Sequence, residues 1–357
     1  MSVIAGVSGA VGAHKYSQEE IVAHFAKIVS PLGKDAAIID RIHRATEIKF
    51  RNLALPLDAY ADLGGFGAAN DQFIRIGLDL GASVILAALN QAGLTGEDVD
   101  FVMATSVTGV ATPSLEARLM PILGFRPDVK RVPIFGLGCV AGAAGIARVH
   151  DYLLGHPDDV AVLLSVELCS LTLQSDDRSM ANIVASGLFG DGAAAVVMVG
   201  ERRAAQMGIR GPRVISSQSR MYPDTEAIMG WDIGGSGFRI VLSASVSEVI
   251  TQYLAGDVTA FLGDHGLKIT DIEQWVSHTG GPKVLHAIEE SLNLHEGQLE
   301  TSWRSLAESG NLSSASVLHI LRDILEERGV EKPKSGTPGL LLAMGPGFCS
   351  ELVLLEW

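Results

Sequence analysis

The sequence predicts an α/β protein built from two related halves, and three observations carry that prediction. The first is composition: of 357 residues, 47% are hydrophobic, only 19% are charged and 40 are glycine. That balance describes a well-buried, turn-rich protein, and the length exceeds the size at which a single core usually stops growing. The second is pattern, because strand-like runs rich in Val, Ile and Leu alternate with helical periodicities, as in parallel or mixed sheets covered by helices. The third is self-similarity. Gly93-Leu94 followed by Asp98-Val99-Asp100-Phe101-Val102 reappears as Gly266-Leu267 followed by Asp271-Ile272-Glu273-Gln274-Trp275. At nearly the same offset, Gly138-Cys139 with the helix Val140 to Leu153 reappears as Gly310-Asn311 with the helix Leu312 to Leu325, and Asp151 falls on Asp323. Two matches in one order point to a duplication. The join is expected in the polar stretch from Glu201 to Arg213, dividing residues 1–205, which carry Cys139, from residues 206–357, which carry His278 and Asn311.

Taken in chain order, the start Met1-Ser2-Val3-Ile4-Ala5-Gly6-Val7 is apolar but short and lacks a basic leader, so it reads as a core strand. No run approaches about 18 uninterrupted apolar residues, and no membrane span is expected. The net charge of −14, with no dense run of Lys or Arg, disfavours nucleic acid as a partner, and an anionic substrate would need a local basic patch. The three cysteines Cys139, Cys169 and Cys349 lack CxxC or zinc spacing, which argues against a disulfide framework or a structural metal and for a reducing cytoplasm.

Val132 to Phe135 reads as a strand, Gly136-Leu137-Gly138 as a tight turn, and Cys139 as the opening of a helix. Taken alone, such a cysteine reads first as a small buried hydrophobe. Unpaired amides and the dipole at a helix start would nonetheless favour the thiolate, the nucleophilic form. Ile272 to Ser277 reads as a strand ended by His278, and Thr279-Gly280-Gly281-Pro282 turns into a helix carrying Val284, Leu285, Ile288 and Leu292 on one face. The C-terminal ends of strands are where open α/β sheets place ligand-handling groups. Asn311, before an amphipathic helix with Val317, Leu318, Ile320, Leu321 and Leu325, reads alone as an N-cap. All three stand at strand-to-helix corners, so thiol, imidazole and amide can converge into an acyl-transfer site.

At these residues the sequence resembles the type III polyketide synthases, the chalcone-synthase-like branch of the thiolase superfamily. The resemblance lies in Gly138-Cys139 with Ala141-Gly142, Leu188-Phe189-Gly190-Asp191-Gly192-Ala193, Gly280-Gly281-Pro282-Lys283 after His278, Gly310-Asn311 with Ser313-Ser314-Ala315, and Gly345-Pro346-Gly347-Phe348. It implies a thiolase-like fold of two duplicated halves in a five-layer α-β-α-β-α sandwich. It implies Cys139 as the acylated nucleophile, ion-paired with His278, and His278 with Asn311 as the pair that steers decarboxylation. Phe189 is implied as a gate, and Cys169, Thr172 and Ser313 as cavity-lining positions. Arg41 and Arg44, on a helix expected from Ile39 to Lys49, are implied to bind the phosphates of CoA. Thr279 stands where the family usually has proline, and Ile240 is the nearest equivalent of a second gate, which is not assigned. The substrates implied are an acyl-CoA starter and malonyl-CoA, with no cofactor or metal, no carrier-protein partner, and a homodimeric state. Within the family the sequence is most similar to mycobacterial-type enzymes that make alkylpyrones from medium- to long-chain fatty acyl starters. The competing readings are a ketoacyl-carrier-protein synthase III-like enzyme performing one condensation, a nucleotide-binding oxidoreductase suggested by Gly136, Gly138 and Gly142, and a non-catalytic acyl-binding protein.

Overall fold

The computed structural model describes residues 1–29, 36–327 and 333–357. Its strands are β1 (Ser2–Val11), β2 (His14–Ser17), β3 (Phe50–Leu53), β4 (Phe101–Thr105), β5 (Lys130–Ile134), β6 (Val160–Leu168), β7 (Asp191–Gly200), β8 (Arg213–Met221), β9 (Met229–Gly234), β10 (Gly237–Leu242), β11 (Gln274–Ser277), β12 (Pro338–Gly345) and β13 (Cys349–Glu356). The helices are α1 (Gln18–Val29), α2 (Ala36–Arg44), α3 (Phe66–Ala92), α4 (Leu115–Leu123), α5 (Ala141–Gly155), α6 (Met180–Leu188), α7 (Glu201–Met207), α8 (Val246–Gly263), α9 (Pro282–Leu292), α10 (Glu300–Ser309) and α11 (Ser316–Leu325).

Nine strands form one sheet in the order β11-β12-β13-β8-β1-β7-β6-β4-β5. Read outward from its middle, the sheet repeats itself. The pairs β1·β7 and β7·β6 are antiparallel and β6·β4 is parallel, and correspondingly β8·β13 and β13·β12 are antiparallel and β12·β11 is parallel. The halves meet through a short antiparallel junction, Ser2 opposite Val214 and Val3 opposite Arg213. The repeated segments found in the sequence also repeat in detail, since Asp98 accepts from the Thr95 amide and Asp271 from the Lys268 amide in matching turns.

Period-2 side-chain alternation creates the layers. In β6 and β7, Val162, Leu164, Ala195 and Val197 face α3 and α4, whereas Leu163, Val196 and Met198 face the central helices α5 and α11. In the other half, Leu341, Ala343, Val353 and Leu355 face those same central helices, while Leu340, Leu342, Leu352 and Leu354 face α8 and α9. The result is the expected five-layer α-β-α-β-α arrangement. Full burial of each such Val, Leu or Ile stabilises by about 1.5–3 kcal/mol, which is why so many apolar residues are used on both faces.

Several boundaries differ from the sequence expectation. The helix expected from Ile39 to Lys49 is α2, ending at Arg44, because Thr46 Oγ1 donates to the His43 carbonyl and Glu47 takes a left-handed φ of 59°. Cys139 lies in a single 3₁₀ turn, Gly138–Val140, and α5 begins only at Ala141. A matching turn, Ser313–Ala315, precedes α11. Among the described residues α3 is long and apolar enough to cross a membrane by composition. Its face of Phe73, Gly77, Gly81, Val84, Ile85 and Ala88 is instead buried against the first half of the sheet.

Candidate active site

The corner of Cys139 and the corner of Asn311 meet because α5 begins without side chains in the way. A Cβ on Gly142 would lie 2.3 Å from the Ser314 carbonyl oxygen, so only glycine permits this approach. Gly138 has a φ of 59° and a Cβ there would meet the Pro346 ring at 2.5 Å, so the turn presenting the thiol is likewise restricted to glycine. Cys139 is buried, with Sγ 3.6 Å from Ser313 Oγ.

Asn311 is held from both sides. Its Oδ1 accepts from the Ser313 amide at 2.8 Å and from Ser316 Oγ at 3.4 Å, which leaves the carboxamide nitrogen as the donor available to a ligand. Its backbone amide donates to the Leu188 carbonyl at 2.9 Å, and its carbonyl accepts from Gly190 at 3.0 Å. Phe189, between those two residues, is therefore bridged to Asn311. His278 follows β11, its amide donating to the Leu342 carbonyl at 3.0 Å, and its ring Nδ1 is buried with no hydrogen-bond partner among the described residues.

Cys139, Phe189, His278 and Asn311 line one small cavity of about 30 Å³, room for about one water. From Cys139 and Phe189 a second cavity of about 240 Å³ opens, lined also by Thr108, Cys169, Trp231, Ile240 and Ser313. Thr172 lies one step further, in a recess that shares Cys169, Phe189 and Ile240 with it. Arg41 and Arg44 are not brought to these cavities. Both are exposed on α2, and Arg44 Nε is ion-paired with Asp40 at 2.9 Å.

Electrostatics depart from the expected ion pair. Burial pushes the Cys139 thiol up to about 12, the Ser313 contact pulling it back and the charge of Glu167 adding to the rise. Burial alone holds His278 down at about 4. Desolvation penalises the charged form of each, and it outweighs the amides of one short turn, so thiol and imidazole rest neutral.

Sequence reasoning missed Glu167. It is fully buried, accepting from the Val107 amide at 3.2 Å, Thr108 Oγ1 at 3.1 Å and the Ser314 hydroxyl, and burial pushes its carboxyl up to about 7. The signal was a lone charged residue in the strand Val160–Leu168, where Ser165 is the only other polar residue. Trp231, on β9, was missed because nothing in the pattern shows that the β9-β10 hairpin folds over the cysteine.

A five-layer duplicated fold with cysteine, histidine and asparagine at its facing corners defines a condensing enzyme of the thiolase type. The comparisons narrow the class. Residues 213–356 match the family described as chalcone and stilbene synthases, C-terminal domain, and residues 80–210 match FAE1/type III polyketide synthase-like proteins. A 1,3,6,8-tetrahydroxynaphthalene synthase of Streptomyces peucetius is 52% identical over 99% of this chain and 93% of its own length. A 3,5-dihydroxyphenylacetyl-CoA synthase of Streptomyces toyocaensis is 32% identical over 99% of this chain and 90% of its own. The crystal structure of the tetrahydroxynaphthalene synthase of Streptomyces coelicolor superposes with a TM-score of 0.92 at 31% identity, covering 99% of each chain. The chain belongs to the type III polyketide synthases and is an acyl-transferring enzyme. That membership leaves the single-condensation and oxidoreductase readings without support.

Proposed function

We propose that this polyketide synthase loads a malonyl-derived starter on Cys139, extends it by repeated decarboxylative condensation with malonyl-CoA, and closes the chain to an aromatic product. One observation carries this reading: Cys139, His278 and Asn311 share a small cavity that opens past Phe189 into only about 240 Å³. Ligand pockets usually span ~300–1,000 Å³, so this one suits a compact folded polyketide better than a long alkyl chain. The similarity to a tetrahydroxynaphthalene synthase supports the same choice over the expected alkylpyrone from fatty acyl starters.

In this reading neutral His278 takes the thiol proton as the starter thioester reaches Sγ, which then carries the acyl group while CoA leaves. The Asn311 amide and a ring N–H of His278 next stabilise the enolate formed as malonyl-CoA loses carbon dioxide. That carbanion attacks the Cys139 thioester and frees the sulfur. Each donor of this kind typically contributes about 3–4 kcal/mol to the transition state. CoA thioesters are substrates and no cofactor is required. Arg41 supplies an exposed cation for CoA phosphates, while Arg44 is already engaged by Asp40. The edge of β5, unpaired among the described residues, with Val132 on it and Phe135 just after it exposed, supports a homodimer joined there, and three free thiols support a cytoplasmic location.

The test is mass spectrometry of products from malonyl-CoA alone. An aromatic polyketide is expected. A requirement for a fatty acyl-CoA would overturn the starter assignment, and formation of a β-ketoacyl thioester only with a carrier protein would overturn iteration.

A further inference from the structure

A buried arginine stands behind the catalytic cavity with one arm unused. Arg51, in β3, is 1% exposed. Its Nε donates to Gln18 Oε1 at 3.0 Å and its Nη1 to the Phe189 carbonyl at 2.8 Å. Gln18 is itself fixed, its Nε2 donating to the Gly187 carbonyl at 2.7 Å. Nη2 is buried and has no hydrogen-bond partner among the described residues. A buried donor left unmade is costly, and for a charged group more so, which makes an unpaired guanidinium arm a feature that needs an occupant.

Arg51 lines a recess of about 30 Å³ that also receives Thr172, Asn182, Ala185 and Ser186. Cys169, Phe189, Trp231 and Ile240 line both this recess and the cavity beside Cys139, so the recess adjoins that cavity across these side chains. Its volume admits one or two polar atoms rather than a ring. The nearest counter-charge, Asp191, is already engaged by the Ser170 amide and hydroxyl and by the Ala54 amide, the two amides at 2.8 and 2.5 Å. Burial pulls the guanidinium only to about 10, so it remains cationic at neutral pH.

We propose that this recess is a polar subsite for the end of the growing chain remote from the Cys139 thioester, where Arg51 Nη2 binds an oxygen anion. The inference rests on the malonyl-primed reading above. Such a chain can offer that anion from two sources, a starter carboxylate retained during growth or the enolate of a terminal 1,3-diketone. Either would be anchored by a charge-assisted hydrogen bond, which keeps the far end of the chain in place until it reaches full length.

The test compares Arg51→Gln, which removes the donor, with Ala185→Val, which fills the recess and leaves the Gln18 and Phe189 contacts of Arg51 in place. Each variant is supplied with malonyl-CoA, and full-length and prematurely released products are quantified by mass spectrometry. Acylation of Cys139 is followed on the intact protein, and folding by thermal denaturation. Both variants are expected to lower the ratio of full-length to truncated products about tenfold or more, with Cys139 acylation preserved. An unchanged ratio in folded Ala185→Val overturns the proposal and assigns the recess to a water alone. That variant decides the matter if Arg51→Gln does not fold. Equal loss of every product together with acylation also overturns it. Wild-type protein that makes nothing from malonyl-CoA alone refutes the priming reading, and the inference falls with it. Priming with acetyl-CoA separates the sources: an effect of Ala185→Val that persists identifies the enolate, and one that vanishes identifies the carboxylate.

Discussion

The corner at Cys139 and the corner at Asn311 are the same piece of architecture put to different uses. Each is a short 3₁₀ turn feeding a central helix, α5 in one half and α11 in the other. At the first, a glycine with positive φ lifts a thiol toward the cavity. At the second, Ser313 and Ser316 hold a carboxamide oxygen so that its nitrogen is offered. In the proposed reading one corner supplies the atom that forms bonds, and the other supplies a fixed dipole. Duplication gave two equivalent positions across one central layer, and the chemistry arises from their having become unlike.

The largest expected effects come from removing either specialisation. Asn311→Ala should slow malonyl-CoA decarboxylation about 10²–10³-fold while leaving Cys139 able to take up a starter, which carbon dioxide release and intact-protein mass spectrometry can separate. Loss of acylation as well would show that the two corners do not divide the work. A smaller effect is expected from Gly142→Ala, which pushes the corners apart through the Ser314 carbonyl without removing a polar group from either. It should cost about 1–3 kcal/mol of stability in urea unfolding, together with a loss of turnover, and unchanged stability would mean that the approach is not tight.

The smallest is a slope in pH. Glu167, hydrogen-bonded to Ser314 of the second corner, has a folded-state pKa raised from 4.5 to about 7 by burial. Its neutral form therefore stabilises the fold fully below pH 4.5, and that contribution is lost as pH rises through 7. Relative to Glu167→Gln, the wild type should lose on the order of 1–3 kcal/mol between pH 5 and pH 8. Parallel unfolding curves for both proteins at the two pH values would contradict the raised pKa. His278 contributes with the opposite sign, since its folded pKa of about 4 removes stability as pH falls below 6.5.

Much of this comparison was legible in the sequence because it is local. The strand, glycine turn and helix around Cys139 can be read from spacing, as can His278 at the end of β11, and the repeat then brings Asn311 opposite the cysteine. What was not legible depends on partners far apart in the chain. The resting protonation of Cys139 and His278 is set by burial beside β12 and the turn before α11, so a local argument from a helix start favoured a thiolate where the fold keeps a neutral thiol. Nothing in the sequence around Arg51 marks it as buried, and only the packing of Gln18 and Phe189 shows it to be interior. Product size was not legible for the same reason. The cavity is bounded by the β9-β10 hairpin through Trp231 and Ile240, and no periodicity in that hairpin states how far it reaches over the thiol.

The bridge between Phe189 and Asn311 has a mechanical meaning. Hydrogen bonds from Asn311 to Leu188 and from Gly190 to Asn311 tie the aromatic ring and the amide to a common stretch of backbone. A displacement of that backbone moves Phe189 and Asn311 together. In the reading proposed above, the ring beside the passage and the amide that meets the thioester would then move along one coordinate.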